Sequence, residues 1–194
     1  ACIGKVEQVP NGADDLFFEP ATARERAAVR AELGLTPGQP YLLSVANFQP
    51  RKNLERLVRA AGRLPEVEDG VLALVLVGAG DEAQTRAIRA VTAGTRMKII
   101  LPGYRQGAAL RALYAEATAL VFPSLCESFG IPAVEAMAQG CPVALADSTA
   151  LPEVGGEAGW YFDPESDDAL VATLRTVLDA PEERARRIAL GRTI

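Results

Sequence analysis

Val71-Leu72-Ala73-Leu74-Val75-Leu76-Val77, followed at once by Gly78-Ala79-Gly80, decides how this chain folds. Seven apolar residues without alternation suit a strand covered on both faces, as strands are in parallel sheets with helices on each side. A strand with one wet face would alternate polar and apolar residues. The two glycines then end the strand in a tight turn that residues without a side chain make most easily.

The same grammar repeats on either side. Upstream, Lys5 to Val9 reads as an opening strand, Pro10-Asn11-Gly12 as a turn, and Thr22 to Leu33 as a charged surface helix stopped by Gly34. Tyr41 to Ala46 is a short apolar strand, and Asn53 stands where a cap is wanted for a helix with apolar positions Leu54, Leu57, Val58, Ala61 and Leu64. Downstream come a helix over Asp81 to Thr92, a strand over Met97 to Leu101, a helix over Ala108 to Glu116, and a strand over Ala119 to Phe122. A helix over Pro132 to Gln139 and a strand over Val143 to Ala146 follow, then the apolar Gly159 to Phe162, a helix over Asp167 to Leu178, and an arginine-rich helix opened by Pro181. Strands alternating with helices over short loops predict an α/β fold, a doubly wound, Rossmann-like parallel sheet, as one domain over residues 1–194. Such sheets bind ligands beyond the carboxyl ends of their strands.

Composition narrows the function. Hydrophobic residues are 49% and charged residues 23% of the 194, ordinary for a globular chain that buries roughly 70% of its unfolded surface. A net charge of -5 without a basic run gives no electrostatic footprint for nucleic acid. Cys2, Cys126 and Cys141 have no spacing suited to zinc or to a disulfide framework, so a reducing cytoplasm is the expected compartment and Cys126 reads as a small semi-buried residue. With no histidine, neither a Ser-His nor a Cys-His nucleophile pair can form. No apolar stretch reaches the roughly 18 residues of a membrane span, and no basic-then-apolar leader opens the chain.

Three strand ends gather polar residues. In Asn47-Phe48-Gln49-Pro50-Arg51-Lys52-Asn53, two adjacent cations precede a helix N-terminus, a setting for a diphosphate or equally for a solvated loop. Gly78-Ala79-Gly80-Asp81-Glu82-Ala83 matches a permissive dinucleotide fingerprint, but Met97 to Gly103 lacks the acid that would hold a ribose there. A nucleotide-sugar epimerase or an NAD-dependent oxidoreductase of this fold needs that acid. The third is Phe122-Pro123-Ser124-Leu125-Cys126-Glu127-Ser128-Phe129-Gly130-Ile131-Pro132-Ala133-Val134-Glu135-Ala136-Met137. Pro132 suits a first helical turn, which leaves Glu127 in the loop and Glu135 one turn into the helix, leaning back toward the same pocket. Paired carboxylates accept sugar hydroxyls well, and N–H groups near Phe129 and Gly130 suit phosphate oxygens. A capping Glu and a solvated Glu are the plainer alternative.

Glu127 and Glu135 in this setting resemble the signature of the family 4 retaining glycosyltransferases of GT-B fold. Further segments follow in that family's order: Val9-Pro10-Asn11-Gly12, Pro50-Arg51-Lys52-Asn53, Leu76-Val77-Gly78-Ala79-Gly80, Leu101-Pro102-Gly103-Tyr104, Leu151-Pro152-Glu153-Val154 and Asp163-Pro164. The resemblance covers nearly the whole chain but only the C-terminal, donor-binding domain of such enzymes; the N-terminal domain with most of the acceptor site is absent from it.

The resemblance implies a nucleotide-sugar donor, a saccharide or lipid-linked acceptor, transfer with retention, and no metal or other cofactor, in keeping with the lack of an Asp-x-Asp motif. By position, Arg51 and Lys52 would hold the diphosphate and stabilise the leaving group, Glu127 would face the transferred sugar, and Glu135 would hold the ribose. Ser128, Phe129 and Gly130 would offer N–H groups, Asn47, Gly78 and Gly80 would belong to the donor site, and Gly103, Tyr104 and Arg105 would line the base. Two departures stand out. Asn47 occupies a place where many relatives carry Arg, and Cys126 and Ser128 flank the first glutamate where Tyr and Gly are frequent. The Pro-Arg-Lys-Asn form resembles bacterial mannosyltransferases and points to GDP-mannose. The resemblance also implies an enzyme that is peripheral to the membrane when whole, and a domain that is inactive in transfer when alone.

Overall fold

Six short strands pair in one all-parallel sheet in a computed structural model of the chain, which describes residues 11–91 and 97–193. They are β1 (Tyr41–Val45), β2 (Ala73–Val77), β3 (Ile99–Gly103), β4 (Ala119–Phe122), β5 (Val143–Ala146) and β6 (Gly159–Phe162). Their order across the sheet is β3-β2-β1-β4-β5-β6. The expected opening strand Lys5 to Val9, with Cys2, Pro10, Thr92 and Ile194, lies outside the described residues.

The helices are α1 (Ala23–Glu32), α2 (Leu54–Ala61), α3 (Pro65–Glu68), α4 (Glu82–Val91), α5 (Gly107–Glu116), α6 (Ile131–Ala138), α7 (Leu151–Gly155), α8 (Asp167–Asp179) and α9 (Pro181–Gly191). α2 packs against α4 and α8, and α5 packs against α1 and α6. A right-handed crossover that moves one way from β1 to β2 and β3, and the other way through β4 to β6, puts these two groups on opposite faces. β2 shows the result: Ala73, Leu74, Val75, Leu76 and Val77 are all at most 1% exposed, so side chains pointing to either face are covered. Each leucine buried this way contributes about 2 kcal/mol relative to an exposed one.

Boundaries shift where proline intervenes. Leu64, expected inside the helix that follows β1, is extended (φ -85, ψ 124) because Pro65 disfavours helical geometry in its predecessor. That helix ends at Ala61, and Pro65 opens a separate single turn. β3 runs through Pro102 to Gly103, with a register irregularity against β2. It is an edge strand, where a missing N–H need not break a ladder. Thr22 closes α1 with a capping box to Glu25, and Ser166 caps α8. A 3-10 turn over Asp15–Phe18 and the short α7 appear without having been expected.

Candidate functional site

β1 and β4 are neighbours, yet the chain leaves their carboxyl ends toward opposite faces, so the loops after them part and open a crevice at the switch point of the sheet. In the loop after β1, Pro50 starts a 3-10 turn that ends with Lys52. Asn53, expected to cap α2, makes no side-chain cap: it takes a left-handed conformation (φ 56) that redirects the chain. Its amide donates instead to the carbonyls of Pro123 (3.2 Å) and Pro164 (2.8 Å), which ties this loop to those after β4 and β6.

That tie brings the expected cations onto the first glutamate. Lys52 Nζ donates to Glu127 Oε1 at 2.5 Å and lies 5.4 Å from the ring centre of Phe122. Lys52 is only 9% exposed, and a lysine so enclosed is rarely found without a partner. Arg51 is half exposed; its guanidinium is 3.8 Å from Glu127 Oε2 and donates to the carbonyl of Cys126. The loop after β5 completes the lacing: Ser148 donates to the Leu125 carbonyl, and the Glu127 N–H donates to Thr149 Oγ1 at 3.0 Å. Thr149 holds a positive φ of 52, a conformation that costs energy outside glycine and is maintained here by its surroundings.

Glu135 approaches from α6. Gly130 opens that helix at φ 108, and a Cβ there would meet Leu151 Cδ2 at 2.7 Å. Further along the helix, Glu135 faces a cleft of about 730 Å³, together with Asn47, Lys52, Gly78, Tyr104 and Arg105. Tyr114, wholly buried on α5, donates to Glu135 Oε2 at 2.8 Å. Burial raises the acid of Glu135 above its ordinary value; the Tyr114 hydrogen bond opposes the rise, and Asp14 adds to it. Gly78 (φ 142) floors the cleft: its N–H donates to the Gly103 carbonyl, and an added Cβ would lie 1.8 Å from the Ala46 carbonyl oxygen.

Apart from Tyr104 and Arg105, the remaining expected residues lie around this cleft rather than on its lining. Glu127 and Arg51 are not among the cleft's lining residues; Glu127 is joined to the cleft through its ion pair with Lys52. Gly80 closes under Phe48, whose Cβ would be 2.6 Å from an added methyl, and Gly103 ends β3 behind Gly78. Ser128 is exposed and Phe129 packs partly on the core; among the described residues no acceptor pairs with the N–H groups of Ser128, Phe129 or Gly130. Arg105 forms an ion pair with Glu32 of α1, and the Tyr104 side chain is 69% exposed. Cys126, expected to be semi-buried, is exposed, because the Leu125–Cys126 backbone turns outward to meet Arg51 and Ser148. Cys141 is buried, which pushes its thiol up to about 12.

One wall was not foreseen. Asp14, Leu16 and Phe17 of the 3-10 turn line the cleft. The turn is held by Gln139, whose amide donates to the carbonyls of Phe17 and Glu19, and by buried Arg111, which reaches Glu25 at 2.7 Å and the Leu16 carbonyl. The local signal was Asp14, which accepts from Leu16 N as a turn-starting cap does. A second groove, about 410 Å³ between α2 and α4, is bordered by Arg56 and Arg59, both engaged with Asp167, and brings no carboxylate–cation pair of its own to a strand end. Among the described residues no helix is long and apolar enough to cross a membrane.

The cleft thus offers a cation at a switch point, a carboxylate with an unpaired oxygen, and free N–H groups nearby, a set able to hold a ligand that carries both phosphate and hydroxyls. Residues 25–193 match the model of the family described as glycosyl transferases group 1. The chain is similar to the O-antigen chain mannosyltransferase B of Escherichia coli, 37% identical over 155 residues, covering 79% of this chain and 40% of that protein. It is similar to a D-inositol 3-phosphate glycosyltransferase of Nocardia farcinica, 36% identical over 149 residues, covering 74% of this chain and 32% of that protein. Among solved structures, HepE of Anabaena in complex with UDP and glucose superposes with a TM-score of 0.81 at 19% identity, over 93% of this chain and 50% of that one. The chain spans less than half the length of the two curated relatives.

Proposed function

The chain belongs to the glycosyl transferases group 1 family, with the Rossmann-like fold of GT-B C-terminal domains, and from that premise we propose that it binds a nucleotide-sugar donor for retaining hexosyl transfer. The observation that carries the reading is the cleft at the β1/β4 switch point, where Lys52 and Glu135 share one lining and Glu127 stands against Lys52. Lys52 and Arg51 meet the diphosphate and the charge that grows on the leaving group, without a metal or other cofactor. Glu127, released from Lys52 by the phosphate, turns to the hexose. Glu135 accepts the ribose hydroxyls, and the N–H groups of Ser128, Phe129 and Gly130 face sugar or phosphate oxygens. Asn47, Gly78 and Gly80 shape the phosphate end, and Gly103, Tyr104 and Arg105 the base end.

The hexose we propose is mannose, carried by GDP; similarity to an O-antigen mannosyltransferase supports it. The acceptor, a saccharide or a lipid-linked one, meets a separate N-terminal domain, so this domain alone binds donor without transferring it. Calorimetric titration with GDP-mannose, UDP-glucose, UDP-N-acetylglucosamine and NAD tests the reading. Saturable binding of a nucleotide sugar, GDP-mannose above the rest, is expected; binding of NAD with no response to any nucleotide sugar overturns it. Transfer assays on the full-length protein should give product of retained anomeric configuration, and the isolated domain should give none.

A further inference from the structure

Glu135 makes one side-chain hydrogen bond among the described residues, and its partner lies outside the cleft. Tyr114 is fully buried on α5, does not line the cleft, and donates to Oε2; Oε1 has no partner among the described residues. The phenol ring is itself fixed. It meets Phe17 edge-on, with centroids 6.0 Å apart and planes at 70°, and Phe17 forms part of the cleft wall. The Phe17 carbonyl in turn accepts from Gln139, one turn beyond Glu135. Ring, wall and helix therefore hold one another, and the carboxylate hangs on the ring's hydroxyl.

We propose that Tyr114 is a positioning residue of the donor site: its hydroxyl fixes one oxygen of Glu135 from beneath, so that the other is aimed into the cleft to accept the ribose hydroxyls. This rests on the reading of Glu135 given above. A glutamate has three side-chain torsions, and without this anchor the carboxylate would lose orientation each time the ligand leaves. The hydroxyl has a second effect. Five titratable or charged groups face the carboxylate or share its cleft: Tyr114 from α5, Asp14 at the start of the 3-10 turn, Lys52 from the loop after β1, and Tyr104 and Arg105 from the loop after β3. Burial and Asp14 favour the protonated acid, and the Tyr114 hydrogen bond favours the carboxylate. Removing the hydroxyl raises the acid further, so ligand binding should weaken most under mild acid.

The test is calorimetry between about pH 5 and pH 8 with GDP and with 2′,3′-dideoxy-GDP, which lacks the ribose hydroxyls, on the wild-type domain, Tyr114→Phe and Glu135→Gln. Tyr114→Phe should bind GDP about tenfold more weakly at neutral pH, with a larger loss toward pH 5, and should bind the dideoxy compound as the wild type does. Glu135→Gln should lose GDP affinity and its pH dependence together. A carbon-13 carboxyl titration of the ligand-free protein should show Glu135 protonating at higher pH in Tyr114→Phe. Equal weakening toward both compounds would give Tyr114 a merely structural role and overturn the inference, as would unchanged GDP binding. Wild-type GDP binding in Glu135→Gln would instead overturn the ribose reading itself.

Discussion

The ammonium of Lys52 lies 2.5 Å from the carboxylate of Glu127, a contact that joins the ends of β1 and β4 across the switch point of the sheet. In the free domain each charge satisfies the other, so a diphosphate arriving at Lys52 must displace Glu127. Glu127→Gln removes the competitor while keeping the shape. Its affinity for GDP, which carries no hexose for Glu127 to meet, should therefore rise by roughly threefold to tenfold. Transfer by the full-length enzyme should fall by about a hundredfold or more if Glu127 serves the hexose. Calorimetry and a transfer assay on the same variant read the two opposite signs.

Lys52 and Arg51 should differ in weight. Lys52 is enclosed, lines the cleft and keeps little contact with water, whereas the Arg51 side chain is 48% exposed and is not part of the lining. An enclosed charge is screened less, so Lys52→Ala should weaken GDP binding by about a hundredfold and Arg51→Ala by less than about tenfold. Raising the salt concentration should narrow the Arg51→Ala difference and leave most of the Lys52→Ala difference in place.

Much of this arrangement is legible in the residues and some is not, for physical reasons. The apolar run at Val71 to Val77 carries its own evidence of two covered faces, which holds over Ala73 to Val77, whereas Val71 stands ahead of the strand and is 58% exposed. Arg51, Lys52, Glu127 and Glu135 stand out through the order of the segments around them, since each alone also suits a solvated loop or a helix start. Tyr114, Arg111 and Gln139 do not: each sits in a helix pattern where a buried tyrosine, a surface arginine or a glutamine is unremarked, and their roles depend on contacts with the distant 3-10 turn. The pairing of Lys52 with Glu127 is likewise a tertiary fact, set by where Asn53 pins its loop.

Gly78 should be the least replaceable glycine of the site. At φ 142 an alanine is strained whatever the space, and its Cβ would fall 1.8 Å from the Ala46 carbonyl oxygen, where backbone on two strands must move. Gly38 also has a positive φ, 75, but nothing lies within 4 Å of an added Cβ. Gly38→Ala should therefore cost about 1 kcal/mol, the strain alone, and Gly78→Ala at least about 3 kcal/mol. Urea denaturation of the two variants measures the gap, and comparable losses would mean that the close approach under Gly78 relaxes freely.

Glu135 should lower the stability of the domain it serves. Its acid is raised by burial, so its contribution to stability is fully present below the unfolded value near 4.5 and is lost as pH rises through the higher folded value. At neutral pH the ionised carboxylate is a burden that a ligand site tolerates. Glu135→Gln keeps an oxygen for the Tyr114 hydroxyl and removes the charge, so it should melt at a higher temperature than the wild type at about pH 7.5. Near pH 4, where the wild-type carboxyl is protonated, the two should melt together. Glu25 and Glu66 work in the opposite sense: hydrogen bonds, from backbone N–H groups foremost, hold both acids below the ordinary value, so the stability they give is present above about 4.5 and is lost as pH falls further. Both proteins share that acid loss, which leaves the difference between their melting temperatures as the measure of Glu135 alone. A difference that persists unchanged at pH 4 would show that the substitution acts through packing and not through the charge.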